Sequence, residues 1–140
     1  MKKGWIVEKR IVTVENLIKK AIQVMKKSYS PYSHFAVGAA LLSKSGKVYV
    51  GTNVENASYG LSICAERSAV VSAVSAGDRA FDCIVVATNT NPPSSPCGAC
   101  RQFLSEFGDF PVILVNPQGD RMDTTVDGLL PYSFRLNRSE

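Results

Sequence analysis

Two hydrophobic periods alternate along the chain, and each change of period marks a new element. Leu17, Ile18, Ala21, Ile22 and Met25 recur at intervals of three and four residues, which predicts a helix with one buried face. Thr13 is placed to cap that helix. It should run to about Lys27 and end before Ser30-Pro31-Tyr32-Ser33, because proline disfavours helix in the residue that precedes it. Phe35 to Leu42 then reads as a buried strand and Val48 to Asn53 as a second, with Ser45-Gly46 turning one into the other as a hairpin.

Helical spacing returns near Ile63 or Cys64, with Ala65, Ala69, Ala73 and Val74 as the inward face and Gly77 as the stop. Phe81 to Thr88 is a third strand, rich in β-branched residues. Asn89 to Pro96 holds three prolines and reads as a loop. A short helix from about Gly98 to Phe107 follows, then a strand from Pro111 to Val115 and a turn at Pro117-Gln118-Gly119-Asp120. A short strand near Met122 to Thr125 and one helical turn from Val126 to Leu130 complete the pattern.

After the hairpin, the order strand, helix, strand, helix, strand is that of right-handed crossovers in a mostly parallel sheet. We therefore expect an α/β domain over residues 1–140, with an N-terminal arm at 1–12 and a mobile tail at 135–140. Trp5, Ile6, Val7, Ile11 and Val12 imply that the arm packs on something, such as a neighbouring subunit. Cys64 follows the second strand, and Cys97 with Cys100 follows the third. Both connections leave the same carboxyl edge, where open α/β sheets bind their ligands.

Composition narrows the class. A chain of 140 residues fits one domain and can bury a core without disulfide staples. The net charge is +4, and much of it comes from lysines and an arginine near the N-terminus and on the first helix. A solvated helix face accounts for those, so they do not argue for nucleic acid. No window reaches the roughly 18 apolar residues of a membrane span. The basic start MKKGWIVEKR loses its apolar run after Val7, too soon for a secretory signal. Without export, four cysteines read as reduced thiols, and the compartment as cytoplasmic.

The chemistry lies in two stretches, NVENASYGLSICAER at 53–67 and PCGACRQ at 96–102. Cys64, Cys97 and Cys100 supply three sulfurs near two helix starts, where free N–H groups favour thiolates. Three thiolates suit zinc, and a fourth ligand decides its role: a closed site is structural, while an open one is catalytic. Cys83 sits near the start of its strand, roughly 20 Å from Cys97 at about 3.3 Å per residue, and reads as a buried hydrophobe. His34, the single histidine, reads as a solvent or interface residue. Glu66 could simply favour the helix dipole, but two residues after a ligand it is placed to carry protons. Arg67 is expected to hydrogen-bond a ligand sulfur and offset its charge. A Cys-x-x-Cys alone would serve redox or structural roles equally well.

Cys64-Ala65-Glu66-Arg67 and Pro96-Cys97-Gly98-Ala99-Cys100-Arg101-Gln102 resemble the two motifs of the small homotetrameric cytidine deaminases, with similarity from about Val14 to Phe134. The resemblance implies a three-layer α/β/α sandwich around a mixed five-stranded sheet. It implies one Zn²⁺ per subunit and a hydrolase of pyrimidine salvage that acts on a cyclic amidine C–N bond. Cytidine and deoxycytidine would become uridine and deoxyuridine, with Glu66 as the proton carrier. The Ala65 N–H would contact the pyrimidine carbonyl, Phe35 would pack on the nucleoside, and Asn53 with Glu55 would hold the ribose 3′-hydroxyl. Ala57, Tyr59 and Phe134 would reach a neighbouring subunit's pocket within a homotetramer. Bland alternatives exist for each: core for Phe35, a polar strand end for Asn53 and Glu55, plain interface packing for Tyr59 and Phe134. Rival functions are an aminohydrolase for another cytosine nucleoside, such as an antibiotic, a polynucleotide deaminase, and a non-enzymatic zinc module. The second would need a basic groove or aromatic platforms for a strand, and none is evident.

Overall fold

The computed structural model describes residues 4–7 and 10–136. Residues 1–3, 8–9 and 137–140, parts of the expected arm and tail, lie outside the described residues, as do the side chains of Ile6, Val7 and Ile11. The arm opens with β1 (Gly4–Val7) and β2 (Arg10–Thr13), paired antiparallel. Trp5 and Val12 are partly buried against the chain's own core, so this domain itself supplies a surface on which the arm packs.

Thr13 caps α1 (Val14–Met25) through a reciprocal box: its hydroxyl accepts from the Asn16 N–H, and the Asn16 side chain accepts from the Thr13 N–H. The helix buries Val14, Leu17, Ala21 and Met25, the face its spacing predicts, with Ile18 and Ile22 packed at its margins. Strands β3 (Val37–Ser43), β4 (Val48–Thr52), β5 (Phe81–Thr88), β6 (Pro111–Val115) and β7 (Arg121–Thr125) form one sheet in the order β4-β3-β5-β6-β7.

The expectation of a mostly parallel sheet needs correction. Only β5 and β6 pair in parallel; β3 pairs antiparallel with both β4 and β5, and β6 with β7. The tight turn after β3 forces an antiparallel hairpin. The next crossover then carries the chain from β4 past β3 to its far side. Since β4, β5 and β6 still run in one direction, their carboxyl ends share an edge, and that part of the expectation holds.

Helices cover both faces, giving the three-layer α/β/α sandwich. On one, α1 meets Ala40, Leu42, Cys83, Val85 and Ile113; on the other, α2 (Ala65–Ser75) and α3 (Gly98–Ser105) meet Ala39, Leu41, Ile84, Val86 and Val112. Residues alternate between the two faces along β3, β5 and β6, and both faces are buried there, which is why these three strands read as unbroken apolar runs. Cys83 is fully buried on the α1 side, away from the other three cysteines.

Two glycines allow the helices this close. A Cβ on Gly51 would lie 2.5 Å from the Ala69 nitrogen and 2.6 Å from the Ala65 carbonyl oxygen. A Cβ on Gly38 would lie 2.1 Å from the Ala21 carbonyl oxygen in α1. The inward face of α2 is accordingly Ala65, Glu66, Ala69, Val70 and Ala73. Val74, expected inside, is 38% exposed. α4 (Val126–Leu129) is the expected single turn.

Candidate metal centre and pocket

Cys64 is the N-cap of α2 and Cys97 the N-cap of α3, so both residues stand at the positive ends of helices. The Cys97 sulfur accepts from the Cys100 N–H at 3.4 Å. The sulfurs of Cys64, Cys97 and Cys100 all lie within 4.8 Å of one another, with Cys64 and Cys97 at 3.9 Å. Two sulfurs bound to one tetrahedral zinc at about 2.3 Å stand about 3.8 Å apart, so this donor set fits the ion. Among the described residues, no histidine, carboxylate or fourth cysteine joins the group. His34 is not part of it.

The charges around the sulfurs are balanced as the sequence suggested. Arg67 Nη2 donates to the Cys64 sulfur at 3.3 Å. A hydrogen bond from the Cys100 thiol, and after it the one from Arg67, pull the Cys64 thiol down to about 5. The Cys100 thiol is held up in turn by that bond to Cys64 and by burial. Glu66 is 4% exposed in the first turn of α2, and burial pushes its carboxyl up to about 7, close to the pH at which a proton carrier works.

A cavity of about 250 Å³ opens beside the sulfurs. Its wall contains Phe35, Asn53, Glu55, Cys64, Glu66 and Cys97, all expected in the site from the sequence. Val37, Val86, Thr88, Ser94 and Ser95 complete much of the rest and were not foreseen. Cys100 and Ala65 are fully buried next to it. Ala57, Tyr59 and Phe134 do not line the cavity; they are exposed, Tyr59 at 74% and Phe134 at 68%.

Asn53 and Glu55 do more than face the cavity. Beyond β4 the chain continues extended, with Val54 bridged to Tyr29 and to Ile63. Asn53 Oδ1 accepts from the Val37 N–H at 2.9 Å and from the Ser28 hydroxyl at 2.6 Å, and its Nδ2 donates to the Phe35 carbonyl at 2.7 Å. The Glu55 carboxylate accepts from the backbone N–H groups of Tyr32 and Ser33 and from the Ser33 hydroxyl; that last bond holds its pKa below the usual carboxylate range. These two residues hang the 28–36 segment over the cavity. Phe35 lies in that segment, ahead of β3, which starts at Val37 and not at Phe35 as expected; His34 before it turns left-handed at φ 58°.

Arg101 was part of a recognised motif, yet its own contacts could not be foreseen. Its guanidinium donates to the Pro96 carbonyl, the Ser95 hydroxyl and the Leu129 carbonyl at 2.8, 2.8 and 2.9 Å. It ties the residues just before Cys97 to α4.

Residues 12–116 match the family described as the cytidine and deoxycytidylate deaminase zinc-binding region. A cytidine deaminase of Sporosarcina psychrophila is 49% identical over 123 residues, covering 86% of this chain and 90% of that one. The crystal structure of cytidine deaminase from Burkholderia pseudomallei superposes with a TM-score of 0.85 at 50% identity, covering 88% of this chain and all of that one. A blasticidin-S deaminase of Bacillus cereus is 30% identical over 129 residues, 86% of this chain and 91% of that one.

Proposed function

This chain belongs to the cytidine and deoxycytidylate deaminase family, and from that premise we propose that it hydrolyses cytidine and deoxycytidine to uridine and deoxyuridine. The observation that carries this reading is the trio of sulfurs within 4.8 Å, with the buried carboxyl of Glu66 on the wall of the same cavity. Cys64, Cys97 and Cys100 would hold Zn²⁺, one per subunit, which when bound supplies Lewis acidity towards a water molecule.

The remaining work falls to the chain's own groups. Glu66 takes a proton from the attacking water and delivers it to N3 of the pyrimidine. The water oxygen bonds to C4; Glu66 then takes the remaining proton of that hydroxyl and passes it to the amino nitrogen, so the C4–N bond breaks, C4=O forms and ammonia leaves. One carboxyl thus acts as base and then as acid. The Ala65 N–H, at the free N-terminal turn of α2, is available to the pyrimidine carbonyl. Phe35 offers an apolar wall, 37% exposed, and Asn53 and Glu55 offer polar atoms for the ribose hydroxyls on the wall of the same cavity.

We further propose a homotetramer in which Ala57, Tyr59 and Phe134 complete a neighbouring pocket; their exposure outside their own cavity supports this. A cytoplasmic role in pyrimidine salvage goes with this reading. No helix among the described residues is long and apolar enough to cross a membrane, and the site needs reduced thiols.

The test is a steady-state assay of zinc-loaded protein on cytidine, deoxycytidine, cytidine monophosphate, a cytosine nucleoside antibiotic and short single strands. Cytidine and deoxycytidine should be the best substrates. Preference for the antibiotic would support the rival aminohydrolase, and preference for strands a polynucleotide enzyme. Glu66→Gln should keep its zinc and lose turnover by roughly 10²- to 10⁴-fold, the usual worth of a positioned proton carrier. Wild-type turnover in that variant would remove Glu66 from the mechanism.

A further inference from the structure

Phe35 owes its place to two strands that end in the same way. β4 runs out at Asn53 and β5 at Asn89, on either side of the segment that enters β3. In a regular ladder the N–H groups of Ala36 and Val37 would find backbone carbonyls across the sheet. Here side chains take over. The Val37 N–H donates to Asn53 Oδ1 at 2.9 Å, and the Ala36 N–H to Asn89 Oδ1 at 3.0 Å. Asn89 also donates from its backbone N–H to the Ala36 carbonyl at 3.2 Å and from Nδ2 to the His34 carbonyl at 3.0 Å.

We propose that Asn89 is a positioning residue that fixes Phe35 against the substrate. It holds the residue before Phe35 by its carbonyl and the residue after by both N–H and carbonyl. The residue before, His34, sits at φ 58°, a left-handed conformation that a non-glycine side chain disfavours. The bond from Asn89 Nδ2 to its carbonyl helps to keep that turn closed. Asn89 itself is exposed and does not line the cavity, so it acts on the nucleoside only through Phe35. The inference rests on the reading of Phe35 as a nucleoside contact.

A double-mutant cycle with the zinc-loaded enzyme tests it, with KM and kcat for cytidine measured separately. Loss of the two side-chain hydrogen bonds that brace this turn should raise KM roughly tenfold in Asn89→Ala, with kcat within about twofold of wild type. Zinc content and the thermal midpoint should stay near wild type, since the residue is outside the core. Phe35→Ala should raise KM at least as much, and the double variant should match Phe35→Ala alone. An unchanged KM in Asn89→Ala, while Phe35→Ala raises it, would overturn the role of Asn89 and leave that of Phe35 intact. Fully multiplicative losses would also overturn it, because Asn89 would then act by another route. An unchanged KM in Phe35→Ala would overturn the contact beneath the proposal, and the proposal with it.

Discussion

Arg67 shows how much one side chain can do at a site of concentrated negative charge. Its Nη2 donates to the Cys64 sulfur at 3.3 Å, and that bond holds the guanidinium firmly in its charged form. Three thiolates around a dication leave one excess negative charge, which a neighbouring cation offsets. Partners of this kind commonly carry tenfold to hundredfold of a metal's affinity. We expect Arg67→Ala to lose zinc to a chelator about ten to a hundred times more readily, and Arg67→Lys, with its charge but not its planar fork, to fall between. Equal chelator resistance in all three proteins would show that the bond to Cys64 is idle. Residues of this kind were legible because their partners are close in sequence: Cys64, Glu66 and Arg67 share one helical turn. Asn89 was not, since it holds a segment 53 residues away and carries no chemistry of its own. Asn53 and Glu55 were singled out for a ribose contact that remains a proposal, and not for the backbone they support.

Among the elements, α2 matters most, because its first turn presents both Cys64 and Glu66. Its seat is a stripe of alanines laid across Gly51 of β4. A Cβ there would stand 2.5 Å from the backbone nitrogen of Ala69, an atom that cannot rotate aside. Gly51→Ala must therefore lift the helix or bend the strand. Overpacking of this kind costs about 1–3 kcal/mol, and the lifted helix would also misplace a ligand. The expected result is a lower thermal midpoint together with weaker zinc retention. Gly60→Ala is the comparison, since a Cβ at Gly60 meets nothing of its own chain within 4 Å and leaves the seat of α2 unstrained, so zinc retention should be unchanged. If the two variants behave alike, the close approach does not set the helix. The periodicity located these elements well, down to the ends of β5 and β6, because strands buried on both faces leave unbroken apolar runs. It could not show that β3 lies between β4 and β5. Strand order is fixed by which edges pair across the sheet, and no local pattern records that.

At the scale of the molecule, the surface around the cavity mouth is more apolar than an isolated domain would favour. Val54 and Ile63 line the cavity yet are 47% and 50% exposed, and Tyr59 and Leu61 between them are 74% and 66% exposed. Val71 and Val74 add apolar surface on the outer side of α2. Contiguous exposed apolar residues on a soluble domain mark a surface that another protein covers. The family resemblance pointed to Tyr59, but the hydrophobic pattern could not locate Val54, Leu61 or Ile63 on this surface, because apolar residues bound for a neighbour look like apolar residues bound for the core. Here Val54 and Ile63 also line the pocket, so in the proposed assembly covering this surface and completing the pocket are one event. Activity should then depend on concentration. Dilution below the assembly's dissociation constant should lower specific activity, with zinc still bound. Tyr59→Asp, which places a charge in the middle of the patch, should shift sedimentation towards smaller species and reduce kcat/KM in step. A variant that sediments as a monomer and still turns over cytidine at the wild-type rate would show that each subunit carries a whole pocket. Tyr59 would then serve packing alone.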